Sequence, residues 1–243
     1  MIEHRAFATL GAAQHGWLDA HHHFSFADYR DDKRIHWGAL RVWNDDTIAP
    51  GTGFPPHPHA DMEIITYVRE GAITHADNLG NEGRTAAGDV QVMSAGTGIR
   101  HSEYNLEAGP TRIFQIWILP DRRGGPPAWG AKPFPKGERA GRWVTLASGM
   151  TGNDTDEGAL PIRADARVLG ATLPAGESLV YEPAHAGRHL YVVPAIGSVE
   201  VSGASGSVTL AARDGAAIRD EARLTFTARE DTELILVDAA ALH

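Results

Sequence analysis

The chain has 243 residues, with 22 Lys and Arg against 31 Asp and Glu, which gives a formal net charge of −9 and a pI near 5.8. This acidic balance argues against a surface that binds nucleic acid or an acidic membrane in a generic way. Cysteine is absent, so disulfides, thiolate nucleophiles and cysteine-bound zinc are excluded, and any metal must be bound by His, Asp or Glu.

The N-terminal sequence MIEHRAFATLGAAQHGWLDA lacks the basic segment and apolar core of a secretion signal, and no run of about 18 apolar residues follows it anywhere. We therefore expect a cytoplasmic protein that does not enter the membrane. A hydrophobic fraction of 42% and a mean hydropathy of −0.26 suit a soluble protein with a core. The length allows one large domain or two domains of about 110–120 residues.

Short segments rich in β-branched residues recur along the chain, and glycine or proline separates them. Alternating apolar and polar residues over such short segments are typical of the strands of all-β sandwiches or barrels. No segment has the pattern of a long amphipathic helix. In chain order the predicted strands are GALRVWNDD, EIITYVREG, DVQVMSA, RIFQIWILP, RWVTLAS, ARVLGATLPAG, HLYVVPAIG, SVEVSG, SVTLAA, AIRDEARLTFTA and TELILVD.

The strand pattern is interrupted once, over residues 121–140, where proline and glycine are concentrated. This composition is typical of a linker or an interdomain arm. We therefore predict two β-barrel domains, residues 1–120 and 141–243. Weak similarity between VREGAIT (68–74) and VPAIGSVEV (193–201) suggests that the two halves arose by duplication, although two unrelated all-β halves could match this well by chance.

Two pairs of polar residues lie between the turn glycines of the first half. His57 and His59 are two residues apart, and His101 and Glu103 repeat that spacing. Side chains at i and i+2 of a strand point to the same face, so the two pairs could direct three imidazole nitrogens and one carboxylate oxygen at one point. Such a set suits a borderline divalent metal such as Fe, Ni, Cu or Zn.

One His-x-His pair is weak support by itself, because the chain has 13 histidines and the pair formed by His21 and His23 occurs as well. The second pair, at the position where a paired strand would return, strengthens the prediction of a mononuclear metal site. The second half retains no such set, since His185 and His189 are four residues apart and its acidic pair, Asp220 and Glu221, is adjacent and therefore faces opposite ways. We expect that domain to hold no metal and to be structural, or to shield the first barrel's mouth.

These residues resemble the first motif of the cupin superfamily, G-x5-H-x-H-x3,4-E-x6-G. The sequence departs from it by one extra residue before the last glycine and fits as Gly51-x5-His57-x-His59-x3-Glu63-x7-Gly71. The second cupin motif is met loosely, by Gly88, Gly96, His101 and Asn105. Within the cupins the chain most resembles the pirin family, through HGWLDAHHHFSFADY (15–29), GFPPHPHADMEIITYVREG (53–71) and GDVQVMSAGTGIRHSEYN (88–105).

The resemblance implies an all-β bicupin, two double-stranded β-helix (jelly-roll) barrels with one metal in the first. Its ligands would be His57, His59, His101 and Glu103, and the metal is usually Fe(2+), with Ni, Zn, Cu or Mn also possible. The glutamate of the general cupin motif, Glu63, is a ligand in many cupins but not typically in pirins. Strand alternation leaves open whether Glu63 contacts the metal or a ligand imidazole.

Bacterial pirins include proteins assigned quercetin 2,3-dioxygenase activity, so the resemblance implies a phenolic substrate and O2 as reactants. Glu103 would then act as the general base. The alternative is a metal- and redox-responsive protein that regulates a protein partner without catalysis. A pocket that reaches the metal would favour the enzyme, and a sealed metal would favour the regulator. A sugar isomerase is less favoured, because no cluster of Lys and Arg accompanies the ligands.

Several other side chains can be placed by pattern. His23 could line the pocket or form a structural hydrogen bond, and the position of His75 relative to the site is open. Arg100 precedes a ligand on its strand and should point outward. We expect the core to contain Phe24, Phe26 and Trp43, and the interior of the first barrel to contain Met93 and Ile116.

Overall fold

The computed structural model describes residues 1–150, 158–185 and 187–242. Strands account for 58% of the structure and the described residues contain no α-helix, so the predicted all-β class is confirmed. Two 3-10 turns occur, at Phe7–Thr9 and Lys136–Arg139. Within the described part of the chain, no helix is long and apolar enough to cross a membrane.

The strands are numbered in chain order. Those of the first half and the connecting segment are β1 (Ile2–Arg5), β2 (Gly11–Gln14), β3 (Leu18–His22), β4 (Leu40–Ile48), β5 (Thr52–His59), β6 (Glu63–Glu70), β7 (Ala72–Asp77), β8 (Glu82–Ala86), β9 (Val90–Ser94), β10 (Ile99–Asn105), β11 (Thr111–Ile118) and β12 (Ala128–Lys132).

The strands of the second half continue this numbering. They are β13 (Val144–Ser148), β14 (Leu160–Pro161), β15 (Ala166–Leu173), β16 (Ser178–Tyr181), β17 (His189–Ile196), β18 (Ser198–Gly203), β19 (Gly206–Ala211), β20 (Gly215–Arg219), β21 (Leu224–Ala228) and β22 (Thr232–Ala239).

Each half of the chain builds a barrel from a seven-stranded sheet and a four-stranded sheet. The first barrel has the orders β12-β9-β6-β11-β4-β3-β2 and β5-β10-β7-β8. The second has β1-β20-β17-β22-β15-β13-β14 and β16-β21-β18-β19. The matching orders, strand for strand, are those of two jelly rolls, so the predicted bicupin architecture is confirmed.

The largest hydrophobic core lies between the barrels, where the two seven-stranded sheets pack face to face. Successive side chains of a strand point to opposite faces, so β11 contributes Phe114 and Ile116 to this core and directs the alternate residues into its own barrel. From the second barrel Tyr191 packs against Trp43, with ring centroids 5.6 Å apart. The prediction that Ile116 faces the barrel interior is therefore wrong.

The other predicted core residues divide between three environments. Phe24 and Trp43 are fully buried in the core between the barrels, as expected. Met93 packs with Ile64 and Ile99 inside the first barrel, also as expected. Phe26 is only partly buried. Its ring packs against Trp117, with centroids 5.4 Å apart, so it belongs to the wall of the site rather than to the core.

Two segments tie the barrels together. Residues 121–140, predicted as a linker or arm, form β12, which adds an edge strand to the first barrel by pairing with β9. Arg139 follows in this segment and is fully buried, donating to the hydroxyl of Tyr67 and the carbonyl of Gly88. Strand β1, at the start of the chain, pairs with β20 of the second barrel.

A buried carboxylate also joins the two barrels. Asp45 of β4 is fully buried and accepts hydrogen bonds from Arg69 of β6 and from Arg213 of the second barrel. The Arg69 guanidinium also lies over the Phe114 ring, 4.6 Å from its centroid. Because a buried charge without a partner is costly, each group in this cluster depends on the others.

Candidate metal centre

The candidate centre begins on β5, an edge strand of the four-stranded sheet. Proline has no backbone N–H to donate, so an edge position suits the three prolines of this strand. His57 and His59 alternate with these prolines and project from one face of the strand. The neighbouring strand β10 runs antiparallel, and its register places His101 directly opposite His57.

The three imidazoles converge. Ring centroids are 4.8 Å apart for His57 and His59, 4.5 Å for His57 and His101, and 5.0 Å for His59 and His101. One nitrogen from each ring lies within 4.8 Å of the others, which is the spacing of a group that could hold a metal ion. The structure therefore brings three of the four predicted ligands together.

These rings present lone pairs rather than protons. His57 donates its Nδ1–H to the carbonyl of Pro55 at 2.7 Å, which leaves Nε2 as the acceptor in a neutral ring. Burial and the neighbouring imidazoles lower the pKa of His59 to about 4 and that of His101 to about 3. The buried Nε2 of His101 has no hydrogen-bond partner among the described residues. A divalent metal fits this donor set, because neutral imidazole nitrogen is its usual ligand.

Glu103, the fourth predicted ligand, lies two residues after His101 on β10 and is buried. Its carboxylate accepts hydrogen bonds from Gln91 at 2.6 Å, from Gln115 at 2.9 Å and from Thr66 at 3.3 Å. Burial raises the pKa of Glu103 to about 7, against the effect of these three donors. Its carboxylate oxygens do not belong to the group of potential ligand atoms that lie within 4.8 Å of one another. The role of Glu103 as a ligand therefore stays a prediction.

Glu63, the glutamate of the general cupin motif, points away from this centre. Its Oε2 accepts from the Ser94 hydroxyl at 2.6 Å and from the backbone N–H of Arg163 at 3.1 Å. It thus shares the face of β6 that packs on the second barrel. Both alternatives left open by the sequence, contact with the metal and contact with a ligand imidazole, are wrong, and Glu63 joins the barrels instead.

The centre is open at the mouth of the barrel. His57 and His59 are half-buried, so solvent reaches the cluster from this side. A cavity of about 480 Å³ borders His59 next to the cluster, and its lining includes the outward-facing Pro58. Arg100 lines this cavity and is exposed, as its position before His101 predicts. On the other side of His59, the Trp117 indole lies edge-on to the imidazole with centroids 5.0 Å apart.

Comparison with known proteins identifies the family. The model described as Pirin matches residues 3–118, and the one described as Quercetinase C-terminal cupin domain matches residues 145–239. A pirin-like protein from Caulobacter vibrioides is 68% identical over 240 residues, which span 99% of this chain and 100% of that protein. The chain belongs to the pirin family.

Two further relatives connect the pirin fold to a metal and to a reaction. The crystal structure of the bacterial pirin YhhW from Escherichia coli, in complex with nickel(II), superposes with a TM-score of 0.90 at 38% identity, covering 100% of both chains. A quercetin 2,3-dioxygenase from Escherichia coli strain K12 is 40% identical over 239 residues, 98% of each chain. A divalent metal at the histidine cluster of this pirin is therefore supported, without fixing which metal.

The remaining residues singled out in the sequence have structural partners. His23 is fully buried between the barrels and its Nδ1 forms a 2.8 Å hydrogen bond with the hydroxyl of Tyr191, so it does not line the pocket. In the second barrel of this pirin, Glu221 accepts the backbone N–H groups of Ala204 and Ser205. His75, whose position was open, contacts His101 directly. No sequence pattern pointed to Trp117 or Gln115 near the centre.

The burial of His23 predicts a dependence of stability on pH. Desolvation, followed by the nearby Arg5 charge, lowers the pKa of His23 well below 6.5, so unfolding in acid takes up a proton that the folded pirin does not bind. Below pH 6.5 we expect wild type to lose about 1.4 kcal/mol per pH unit relative to a His23→Gln variant, which lacks the titrating ring. Urea unfolding of both proteins at several pH values measures this difference, and a constant difference from pH 7.5 to 5 would contradict it.

Proposed function

We propose that this pirin is a metal-dependent dioxygenase that uses O2 to open the heterocyclic ring of flavonols such as quercetin. The observation that carries the proposal is the cluster of three converging imidazoles, two of them half-exposed to solvent, with the indole of Trp117 beside it. A sealed cluster would have favoured the regulatory alternative. The quercetin dioxygenase of Escherichia coli, related over nearly the whole chain, supports the same substrate class.

In this proposal His57, His59 and His101 hold one divalent metal, and we propose Fe(2+) as the native ion, with Ni, Zn, Cu or Mn as alternatives. When bound, the metal supplies a Lewis acid that favours the deprotonated flavonol. We propose Glu103 as the fourth ligand, because it lies beside His101 on the same face of β10. Gln91 and Gln115 orient its carboxylate through their amide N–H groups.

Glu103 is also the group we propose as general base. Its carboxylate would accept the proton of the flavonol 3-hydroxyl, and the amides of Gln91 and Gln115 would keep it aimed while it does so. The substrate then reacts with O2 and yields a depside and carbon monoxide, which together contain both oxygen atoms of O2. The buried surroundings of Glu103 exclude bulk water from this proton transfer.

The aromatic wall should contribute to flavonol binding. Trp117 lies beside His59 and packs against Phe26, so a flat phenol near the imidazoles would contact its ring. We expect Trp117→Ala to raise KM for quercetin about tenfold with a smaller change in kcat, since an aromatic pair contributes about 0.5–1.5 kcal/mol beyond its buried area. Trp117→Phe, which keeps a ring, serves as the matched control. Steady-state kinetics decide, and an unchanged KM in Trp117→Ala would contradict this role.

The proposed function is tested by loss of the visible absorbance of quercetin under air, with iron-loaded protein. Wild type should consume quercetin, His59→Ala and Glu103→Ala should not, and Glu63→Gln should retain activity because Glu63 faces the second barrel. Metal analysis of protein purified without added metal accompanies the assay. Metal binding without any difference in quercetin consumption between wild type and the two alanine variants would overturn the dioxygenase and leave the pirin-type regulator of a protein partner.

A further inference from the structure

Two hydrogen bonds in series connect the metal centre to a buried carboxylate. Strand β7 pairs with β10 so that Asp77 lies opposite His101 and His75 lies opposite Glu103. The Nδ1 atoms of His75 and His101 are 3.4 Å apart, and His75 Nε2 is 3.0 Å from Asp77 Oδ2. The side chains of His75 and Asp77 are almost completely buried, so both hydrogen bonds are shielded from solvent.

Asp77 is held in one orientation by the turn that follows β7. Its Oδ1 accepts the backbone N–H groups of Leu79 at 2.9 Å and Asn81 at 3.1 Å. Its Oδ2 accepts the Asn81 side-chain amide at 2.9 Å and also faces His75. These donors lower the pKa of Asp77 despite its burial, so the group is a carboxylate that can only accept hydrogen bonds.

The order of donors and acceptors from Asp77 to His101 then fixes the tautomer of each imidazole in turn. Because Asp77 only accepts, His75 carries its proton on Nε2, and in a neutral imidazole its Nδ1 must be the acceptor. His101 therefore donates from Nδ1, which leaves the lone pair on Nε2. That atom is buried, has no hydrogen-bond partner within the described part of the chain, and is the nitrogen available to a metal.

We propose that Asp77, acting through His75, is a positioning residue that holds His101 in the tautomer that binds metal. The proposal rests on the metal site of the proposed function and extends it by two side chains. Hydrogen bonds from groups behind a metal ligand fix its tautomer and orientation. Here a second imidazole stands between the ligand and the carboxylate, so the direction of two hydrogen bonds depends on one charge.

The plane of His75 is fixed by packing. The indole of Trp129, on β12, stacks on His75 with centroids 4.8 Å apart and an angle of 9° between the planes. The indole fits because residue 83 is glycine, since a Cβ there would lie 2.3 Å from Trp129 Cη2. The segment that connects the two barrels thus holds the intermediate ring between the carboxylate and the ligand.

An Asp77→Asn variant should reverse the direction of both hydrogen bonds, the one between residue 77 and His75 and the one between His75 and His101. The two backbone N–H groups at Oδ1 require an oxygen there, so the amide NH2 must occupy the position of Oδ2 and donate to His75. The Asn81 side-chain amide, which donates to Oδ2 in wild type, would turn over so that its oxygen accepts from this NH2. His75 would then donate from Nδ1, and His101 would carry its proton on Nε2, where it blocks coordination. We expect nickel(II) affinity, measured by chelator competition on metal-stripped protein, to fall about 10–100-fold.

A matched control is Glu107→Gln, which makes the same change of carboxylate to amide at a partly exposed residue that pairs with Arg84 of the same sheet. Its nickel affinity should equal that of wild type. Asp77→Asn that folds like wild type and binds nickel within twofold of it would overturn the proposal. Weak nickel binding by wild type itself would instead count against the metal site of the proposed function.

A second measurement needs no metal. In wild-type protein stripped of metal, ¹⁵N NMR of the imidazole nitrogens distinguishes protonated from bare nitrogen. We expect His101 to be protonated on Nδ1 and His75 on Nε2 at neutral pH, and His101 to switch to Nε2 in Asp77→Asn. A wild-type His101 protonated on Nε2 would overturn the proposal whatever the nickel affinities are.

Discussion

Replacing His101 with alanine should abolish tight metal binding and, with it, the proposed flavonol turnover. His101 is the most buried of the three imidazoles, at 3% exposure, and its ring lies within 5.0 Å of both others. The variant retains only the two half-buried histidines of β5. Since losing a group that merely orients a ligand costs about 10–100-fold in affinity, losing the ligand should cost 100-fold or more.

The measurement is nickel(II) and iron(II) binding by calorimetry, together with aerobic quercetin consumption. His36→Ala removes an exposed histidine that is not part of the cluster and should leave both readouts unchanged. Wild-type affinity in His101→Ala would place the metal elsewhere and remove the basis of the proposed function. Lost turnover with retained metal would instead assign His101 a role in substrate binding.

Replacing Asp45 with alanine should produce the largest loss of stability. The variant leaves the Arg69 side chain, 8% exposed, without its carboxylate partner in the interface between the barrels. Removing one partner of a buried ion pair costs about 3–5 kcal/mol. For a chain of this size that corresponds to a decrease in Tm of roughly 6–20 °C, at about 2–4 °C per kcal/mol. Arg213 also loses its partner but is 29% exposed and can be hydrated.

Two variants separate this cause from a general effect of the substitution. Asp32→Ala breaks an ion pair with Arg30 in which both side chains are more than three-quarters exposed, and we expect no measurable change in Tm. The double variant Asp45→Leu/Arg69→Met removes the buried charges together and should recover most of the loss. A double variant as unstable as Asp45→Ala would show that the cost comes from packing rather than from an unpaired charge.

Local sequence patterns predicted most of the fold. Alternation of apolar and polar residues predicted the strands, and the two pairs at i and i+2 predicted which histidines would converge. The same rule failed for Glu63, although it lies four residues after His59. The strand ends at His59, and Asp61 adopts a positive φ of 49° before β6 begins. Alternation holds only within a continuous strand, so the direction of Glu63 could not be read across this turn.

The parts that the sequence did not reveal depend on contacts between distant segments. Which face of β11 meets the other barrel is set by the packing of two sheets, and Ile116 was misplaced for this reason. The link between His75 and His101 follows from the register of β7 against β10, which no local pattern encodes. Residues 121–140 have the composition of a linker, yet β12 pairs along five residues with β9.

Strand β1 has a consequence for how the protein is made. Ile2 pairs with Ile218, so β1 is synthesised before the first barrel but belongs to the second. At about 5–20 residues per second, its partner follows roughly 10–40 s later. During that time the first barrel can fold around its histidines. Strand β1 stays unpaired, and Arg5, which is buried in the folded protein, stays exposed to solvent. The nascent chain therefore exposes an unpaired strand until β20 (Gly215–Arg219) has been translated, and a bulky fusion before β1 would hinder this late step of assembly.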